Sequence, residues 1–322
     1  MYQRGSNVRA TRLLLIGFSA GVCALGASLA YSDPVSSPSI ADGSFDDTPE
    51  ARRIVSLIPA ATEILFAIGA GDRLVGRTRW GVHPPPARDV PDVGDGIRPA
   101  LELIVARRPD LVILVSGADN AGVADRLRDL QIPTLALRHN TLEDLDRNIL
   151  ALGEAAGCGA SARRVRDRIR NDLSRLAGAT DPLDRPGVYY DVWEAPPITI
   201  GGGSYLDSLI DVAGGSNIFR DLTEPSPQVS LEAIVARSPH LLLFPVSRSE
   251  ARERRAPVDR PGWSAVRAVA DGQVHRTDGD LAHRLGPRVA EAALEIALLL
   301  HPEVGELRDL DFQTAAVGVC EP

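Results

Sequence analysis

From Arg53 to Leu57 the chain runs through a short β-branched stretch, RIVSL, and after Pro59 the apolar positions take helical spacing from Ala61 to Ile68. A second unit follows. Leu101 to Arg107 reads as a helix, Pro109 ends it, and Leu111 to Val115 (LVILV) is apolar without alternation. A strand that lacks alternation is buried on both faces, as in a parallel sheet covered by helices. Ile132 to Leu137 repeats the strand signal behind a helical stretch, Ala121 to Leu130. Strands alternating with helices predict an α/β lobe.

The pattern returns further along. LELIVARRPDLVIL from Leu101 aligns without gaps on LEAIVARSPHLLLF from Leu231, an offset of 130 with eight of fourteen positions identical. Upstream, TEILFAIGAGDRLVG from Thr62 has a looser counterpart in SYLDSLIDVAGGSNIF from Ser204. Such a period is too long for a solenoid, so two homologous α/β lobes with mainly parallel sheets are expected.

Between the lobes the sequence is helical. Thr141 and Asp144 have capping-box spacing, and Ser161 is expected to open a second helix with Val165, Ile169, Leu173 and Leu176 on one face. The other face carries Arg163, Arg164, Arg166, Arg168, Arg170 and Arg175, interrupted by Asp167 and Asp172. That mixture reads as a solvated face. The expected segments are 1–30 for export, 31–50 as a disordered linker, 51–140 as the first lobe, 141–180 as the helical connector, 181–302 as the second lobe and 303–322 as a tail.

The export segment rests on Arg4, Arg9 and Arg12 before the apolar stretch Leu13 to Ala30, with small residues at Ser28 and Ala30 favouring cleavage before Tyr31. An uncleaved single-span anchor is the alternative. Either way the folded part lies in the periplasm or otherwise outside the cytoplasm. Cys158 and Cys320 would then meet an oxidising compartment, which permits a disulfide, whereas their spacing fits two free thiols equally well.

Composition narrows the chemistry. The chain is 44% hydrophobic and 24% charged, with a net charge of −8, and all 35 basic residues are Arg. Without lysine there is no P-loop or Schiff-base chemistry, and an acidic chain makes a poor nucleic-acid binder. GFSAG at Gly17 to Gly21 matches a nucleophile elbow but falls inside the export stretch. Gly201-Gly202-Gly203-Ser204 precedes a helix without dinucleotide-binding spacing, and close backbone approach explains it as well as a phosphate does. The six His are scattered, with no pair at metal-ligand spacing. The chain reads as a binder with no enzymatic constellation and no cofactor of its own.

RIVSLIPAATEILFAIGAGDRLVG, LELIVARRPDLVIL, PPITIGGGSYLDSLIDVAGGSNIF and PSPQVSLEAIVARSPHLLLF resemble the helical-backbone substrate-binding proteins of ABC importers. The last two look most like the cobalamin-binding branch, and the resemblance covers nearly all of the folded part. It implies a monomer that captures a large chelate between two lobes and delivers it to a dimeric permease with its ATPase subunits. A ligand-sensing or scaffold domain on the same fold is the alternative.

The resemblance also implies roles for single residues. Glu102 and Glu232, equivalent in the internal repeat, correspond to the acids that dock on permease arginines. The ligand is expected at strand ends between the lobes, near Trp80, His83 and Ser116 to Asn120 on one side and Trp193, Ser226, His283 and Arg284 on the other. The two Trp offer flat walls to a large ring, and Arg77, Arg79 and Arg284 are candidates for ligand carboxylates or phosphate. His83 and His283 are read as polar cleft residues or as ligands to a chelated metal. One departure stands out: cobalamin binders carry a Trp between two prolines where this chain has Pro225-Ser226-Pro227. A corrinoid is the first expectation and a ferric siderophore or haem the next, with bare metal ions disfavoured by the lack of a His cluster.

Overall fold

The computed structural model describes residues 50–247, 254–304, 307, 310, 312 and 318–322. The expected export segment and all but the last residue of the linker lie outside them. Among the described residues no helix is long and apolar enough to cross a membrane.

The first lobe is built from β1 (Ile54–Ser56), α1 (Pro59–Ala67), β2 (Leu74–Arg77), α2 (Leu101–Ala106), β3 (Leu111–Val115), α3 (Ala118–Asp129) and β4 (Thr134–Leu137). Its strands pair in parallel in the order β2-β1-β3-β4. Leu111 to Leu114 are all buried, as an unalternating strand requires. Ile54, Leu111 and Ile113 face one core, while Val55, Val112 and Leu114 pack on the other side with Ile104 of α2 and Leu127 of α3.

Two helices follow, α4 (Leu142–Ala155) and α5 (Gly159–Thr180). The capping box forms: Asp144 N–H donates to Thr141 Oγ1, and the Asp144 carboxylate accepts from the Thr141 N–H. Helix α5 begins at Gly159 rather than Ser161, whose buried hydroxyl is used elsewhere, donating to the Val319 carbonyl and accepting from Glu321 N–H. Its apolar face is buried as expected. Asp172, expected on the solvated face, is turned inward, and burial raises its pKa.

The second lobe contains β5 (Gly187–Tyr190), the hairpin β6 (Trp193–Glu194) and β7 (Pro197–Ile198), α6 (Tyr205–Val212), β8 (Ser216–Asn217), α7 (Leu231–Arg237), β9 (Leu241–Val246), α8 (Arg267–Ala270), β10 (Val274–Asp278), α9 (Gly279–Ala282) and α10 (Val289–Leu300). Its main sheet is again parallel, in the order β10-β9-β5-β8. Matching β5, β8, β9 and β10 to β1, β2, β3 and β4 gives the same strand order in both lobes, which is the internal repeat expressed as topology. One continuous core runs through α1, α4, α5, α6 and α10 and reaches both sheets. The connector is therefore packed into the lobes and is no free tether.

The tail returns to the first lobe. Gly318 N–H donates to the Phe66 carbonyl, and Cys320 is disulfide-bonded to Cys158, so the pairing left open by the sequence is present. The glycine run at 201–203 has a backbone reason. A Cβ at Gly201 would lie 2.2 Å from the Glu224 carbonyl oxygen, and one at Gly203 2.2 Å from that of Thr223.

Candidate functional site

The carboxyl ends of the four strands in the first lobe open onto a cleft of ≈ 860 Å³. Leu57 and Ile58 follow β1, Arg79 and Trp80 follow β2, Ser116 and Gly117 follow β3, and His139 follows β4; all line it. Open α/β sheets present ligand sites at this edge, because the loops there are free of the sheet's hydrogen-bond ladder. The opposite wall is His283, Arg284 and Leu285, from the segment between α9 and α10 of the second lobe. The cleft thus draws on both lobes.

Its rim is set by a turn. Asp95 accepts from the N–H groups of Ile97 and Arg98 at 3.0 and 2.5 Å, and the Arg98 bond is the main cause that holds its carboxyl below the usual range. This turn places Arg98 in the lining near Arg79 and Trp80. Trp80 is 46% exposed, a large apolar face left to solvent at the cleft wall.

Of the expected ligand residues, the cleft brings together Trp80, Ser116, His283 and Arg284. Asn120 belongs to α3, and its side chain lies outside the described part of the structure. His83, Trp193 and Ser226 are not among the lining. His83 is half-buried in the loop that follows Trp80, where burial first and Arg288 next lower its pKa. Trp193 is 48% exposed on its hairpin, its indole N–H donating to the Ala195 carbonyl. Ser226 is exposed in a loop whose flanking carbonyls, of Pro225 and Pro227, accept from Gly201 and Thr199.

The arginines divide. Arg77, expected to meet ligand anions, is buried and donates to the carbonyls of Ala87, Thr78 and Arg88 at 2.7, 2.9 and 3.1 Å. It is a structural strut for the 78–88 loop. Arg79 is exposed in the lining. Arg284 lines the cleft, but Nη1 donates to Glu63 at 3.0 Å and Nη2 to the Trp80 carbonyl at 3.0 Å.

Sequence reasoning did not single out Glu63, Asp95, Arg98 or His139. Glu63 carried a signal, being the lone acid in the apolar helical stretch after Pro59. The other three lie in loops, whose placement depends on the fold. Among the described residues no three His, Cys, Asp or Glu side chains converge as a metal site would require.

Glu102 and Glu232 are the second residues of α2 and α7, and both are exposed. Ser230 caps α7 by accepting from Ala233 N–H, and hydrogen bonds from its own backbone N–H and from Ser230 lower the pKa of Glu232. Leu103 and Val105, beside Glu102, are 44% and 41% exposed.

The relatives are consistent in kind. A vitamin B12-binding protein of Vibrio campbellii is 32% identical over 259 residues, covering 79% of this chain and 91% of its own. One of Vibrio parahaemolyticus is 28% identical over 249 residues, covering 76% and 88%. Among solved structures, the periplasmic vitamin B12 binding protein of Vibrio cholerae has a TM-score of 0.65 at 27% identity, with 78% of this chain and 97% of that one covered. A periplasmic haem-binding protein from Roseiflexus reaches a TM-score of 0.70 at 23% identity, over 78% and 98%, and shares the fold. The profile of the periplasmic binding protein family matches residues 54–281, a span that holds both sheets and the first-lobe wall of the cleft, and the chain belongs to this family.

Proposed function

We propose that this chain is the substrate-binding component of an ABC importer that captures cobalamin or another corrinoid outside the cytoplasm. The observation that carries the reading is the two-walled cleft at the strand ends of the first lobe, with the broad face of Trp80 on one wall and the 283–285 segment on the other. A planar macrocycle matches an aromatic wall, and Arg79 and Arg98 suit anionic groups on its periphery. The names of the similar Vibrio proteins support cobalamin over other chelates. Haem is the second reading, favoured by Ser226 between its two prolines and by the imidazoles of His139 and His283 in the lining.

In this account Glu102 and Glu232 dock on a dimeric permease with its ATPase subunits. Lobes that share one topology present their equivalent carboxylates to a twofold partner, and exposed carboxylates can form charge-assisted pairs that fix orientation. Delivery outside the cytoplasm fits the expected export segment and a chain that acts as a monomer. The test is uptake of cyanocobalamin into vesicles carrying the cognate permease and ATPase. Uptake should require this chain and disappear in the double variant Glu102→Ala/Glu232→Ala, which keeps its soluble affinity for cyanocobalamin. Uptake undiminished in that variant would remove the docking role.

A further inference from the structure

Glu63 is a charged residue on an apolar helix, 3% exposed among Ile64, Leu65 and Phe66 of α1. An isolated carboxylate there would be strongly disfavoured by the loss of its hydration. Its compensation comes from the other lobe. Arg288 grips it with both arms of the fork, Nε to Oε2 at 2.9 Å and Nη2 to Oε1 at 2.8 Å, and Arg284 adds Nη1 to Oε1 at 3.0 Å. Both guanidinium groups are themselves largely buried, with side-chain exposures of 12% for Arg284 and 14% for Arg288.

Arg284 does more than neutralise. Its Nη2 donates to the main-chain carbonyl of Trp80 at 3.0 Å and lies 3.4 Å from Asp280 of the preceding helix, α9. One guanidinium therefore joins α1, the loop that carries Trp80, and the segment that forms the opposite cleft wall. The lobes meet closely here: a Cβ on Gly286 would lie 3.5 Å from that of Ala60.

We infer that Glu63 is a positioning residue for the ligand cleft, setting the Arg284 guanidinium that tethers the Trp80 wall to the second lobe. The inference rests on the reading of the cleft as the ligand site only for its effect on affinity. Without the carboxylate, two largely buried cations face each other, with Asp280 beside Arg284 and Glu291 and Asp278 acting on Arg288. Arg284 then relaxes toward solvent or Asp280, and the Trp80 carbonyl loses its donor. A role in ligand contact is not needed, because Glu63 acts through Arg284.

The test uses 5-fluorotryptophan incorporation, which gives one fluorine resonance for each of Trp80, Trp193 and Trp263, with Trp80 assigned by Trp80→Phe. In the ligand-free protein Glu63→Gln should shift or broaden the Trp80 resonance and leave that of Trp193 unchanged. Cyanocobalamin affinity should fall about tenfold. Arg284→Gln should reproduce both effects, and the double variant should be no worse than either single one, since one tether is being cut. Glu63→Asp, which keeps the charge, should fall between parent and Glu63→Gln, and it serves as the test if Glu63→Gln does not fold. An unmoved Trp80 resonance in the variant used, or effects of Glu63 and Arg284 substitutions that simply add, would overturn the inference. Absence of cyanocobalamin binding by the parent would count against the ligand reading alone, because the fluorine measurement needs no ligand.

Discussion

Cys158, the residue before α5, is disulfide-bonded to Cys320, 162 positions later in the chain. The bond fixes the tail against the junction of α4 and α5, and the same contact is reinforced by Ser161, which engages Val319 and Glu321, and by the Arg164–Glu321 ion pair. The chain thus leaves the first lobe through α5 and comes back to it at its end.

Reducing this bond should destabilise the protein by about 2–4 kcal/mol, because the unfolded chain regains the freedom of a very long loop. Thermal midpoints with and without a reductant measure it, with Cys158→Ser/Cys320→Ser as the control that a reductant should not change. Equal midpoints for the oxidised and reduced parent would show that the tail is held by its hydrogen bonds alone.

Asp191, at the end of β5, is fully buried and bound by both arms of Arg260 at 3.1 and 2.7 Å and by Arg254 at 3.0 Å. Both guanidinium groups also lie over the Phe244 ring. Asp191→Asn leaves two buried cations poorly compensated and should lower stability by about 3–5 kcal/mol. Denaturant titration reads this directly. A loss below about 1 kcal/mol would mean that the network tolerates the missing charge, as exposed pairs do.

His83 gives a pH dependence of definite sign. Burial, then Arg288, with further contributions from Arg284 and Arg88 and opposition from Glu63, hold its imidazole below the ordinary value of 6.5. The folded state therefore binds a proton less readily than the unfolded state. Its contribution is neutral above the unfolded value and becomes a growing cost as pH falls below it. Between about pH 7.5 and pH 5.5 the thermal midpoint should fall more in the parent than in His83→Asn. Identical falls would assign the acid sensitivity to other groups.

The three Trp separate cleft from core. Trp80 and Trp193 are 46% and 48% exposed, whereas Trp263 is 4% exposed and packs against Tyr189. Trp80→Ala should weaken ligand binding with little change in thermal midpoint, while Trp263→Ala should cost about 3–5 kcal/mol. A comparable loss of stability in Trp80→Ala would make Trp80 a structural residue.

The sequence reading and the structure agree best where the cause is local. The unalternating LVILV and the Thr141–Asp144 box dictate structure within a few residues, and both are found, as is the shared strand order that the offset repeat implies. Trp80 and Ser116 were legible because they follow strands directly. Arg77 ends the same strand and His83 follows it, yet three backbone carbonyls hold the Arg77 guanidinium away from the cleft and His83 is not in the lining. Nothing in the local pattern specifies that. Glu63 is more than 220 residues from both Arg284 and Arg288, so its pairing with them exists only once two lobes have been brought together. Asp172 shows the same limit on a smaller scale, since helical spacing alone did not reveal which packed neighbours would cover it.

Calorimetric titration of the purified chain with cyanocobalamin reads corrinoid capture by the cleft without permease or ATPase. Binding should be saturable at one cyanocobalamin per chain with a Kd in the micromolar range or tighter, weakened in Trp80→Ala. No binding of cyanocobalamin at that range, with stoichiometric binding of haem under the same conditions, would contradict corrinoid capture.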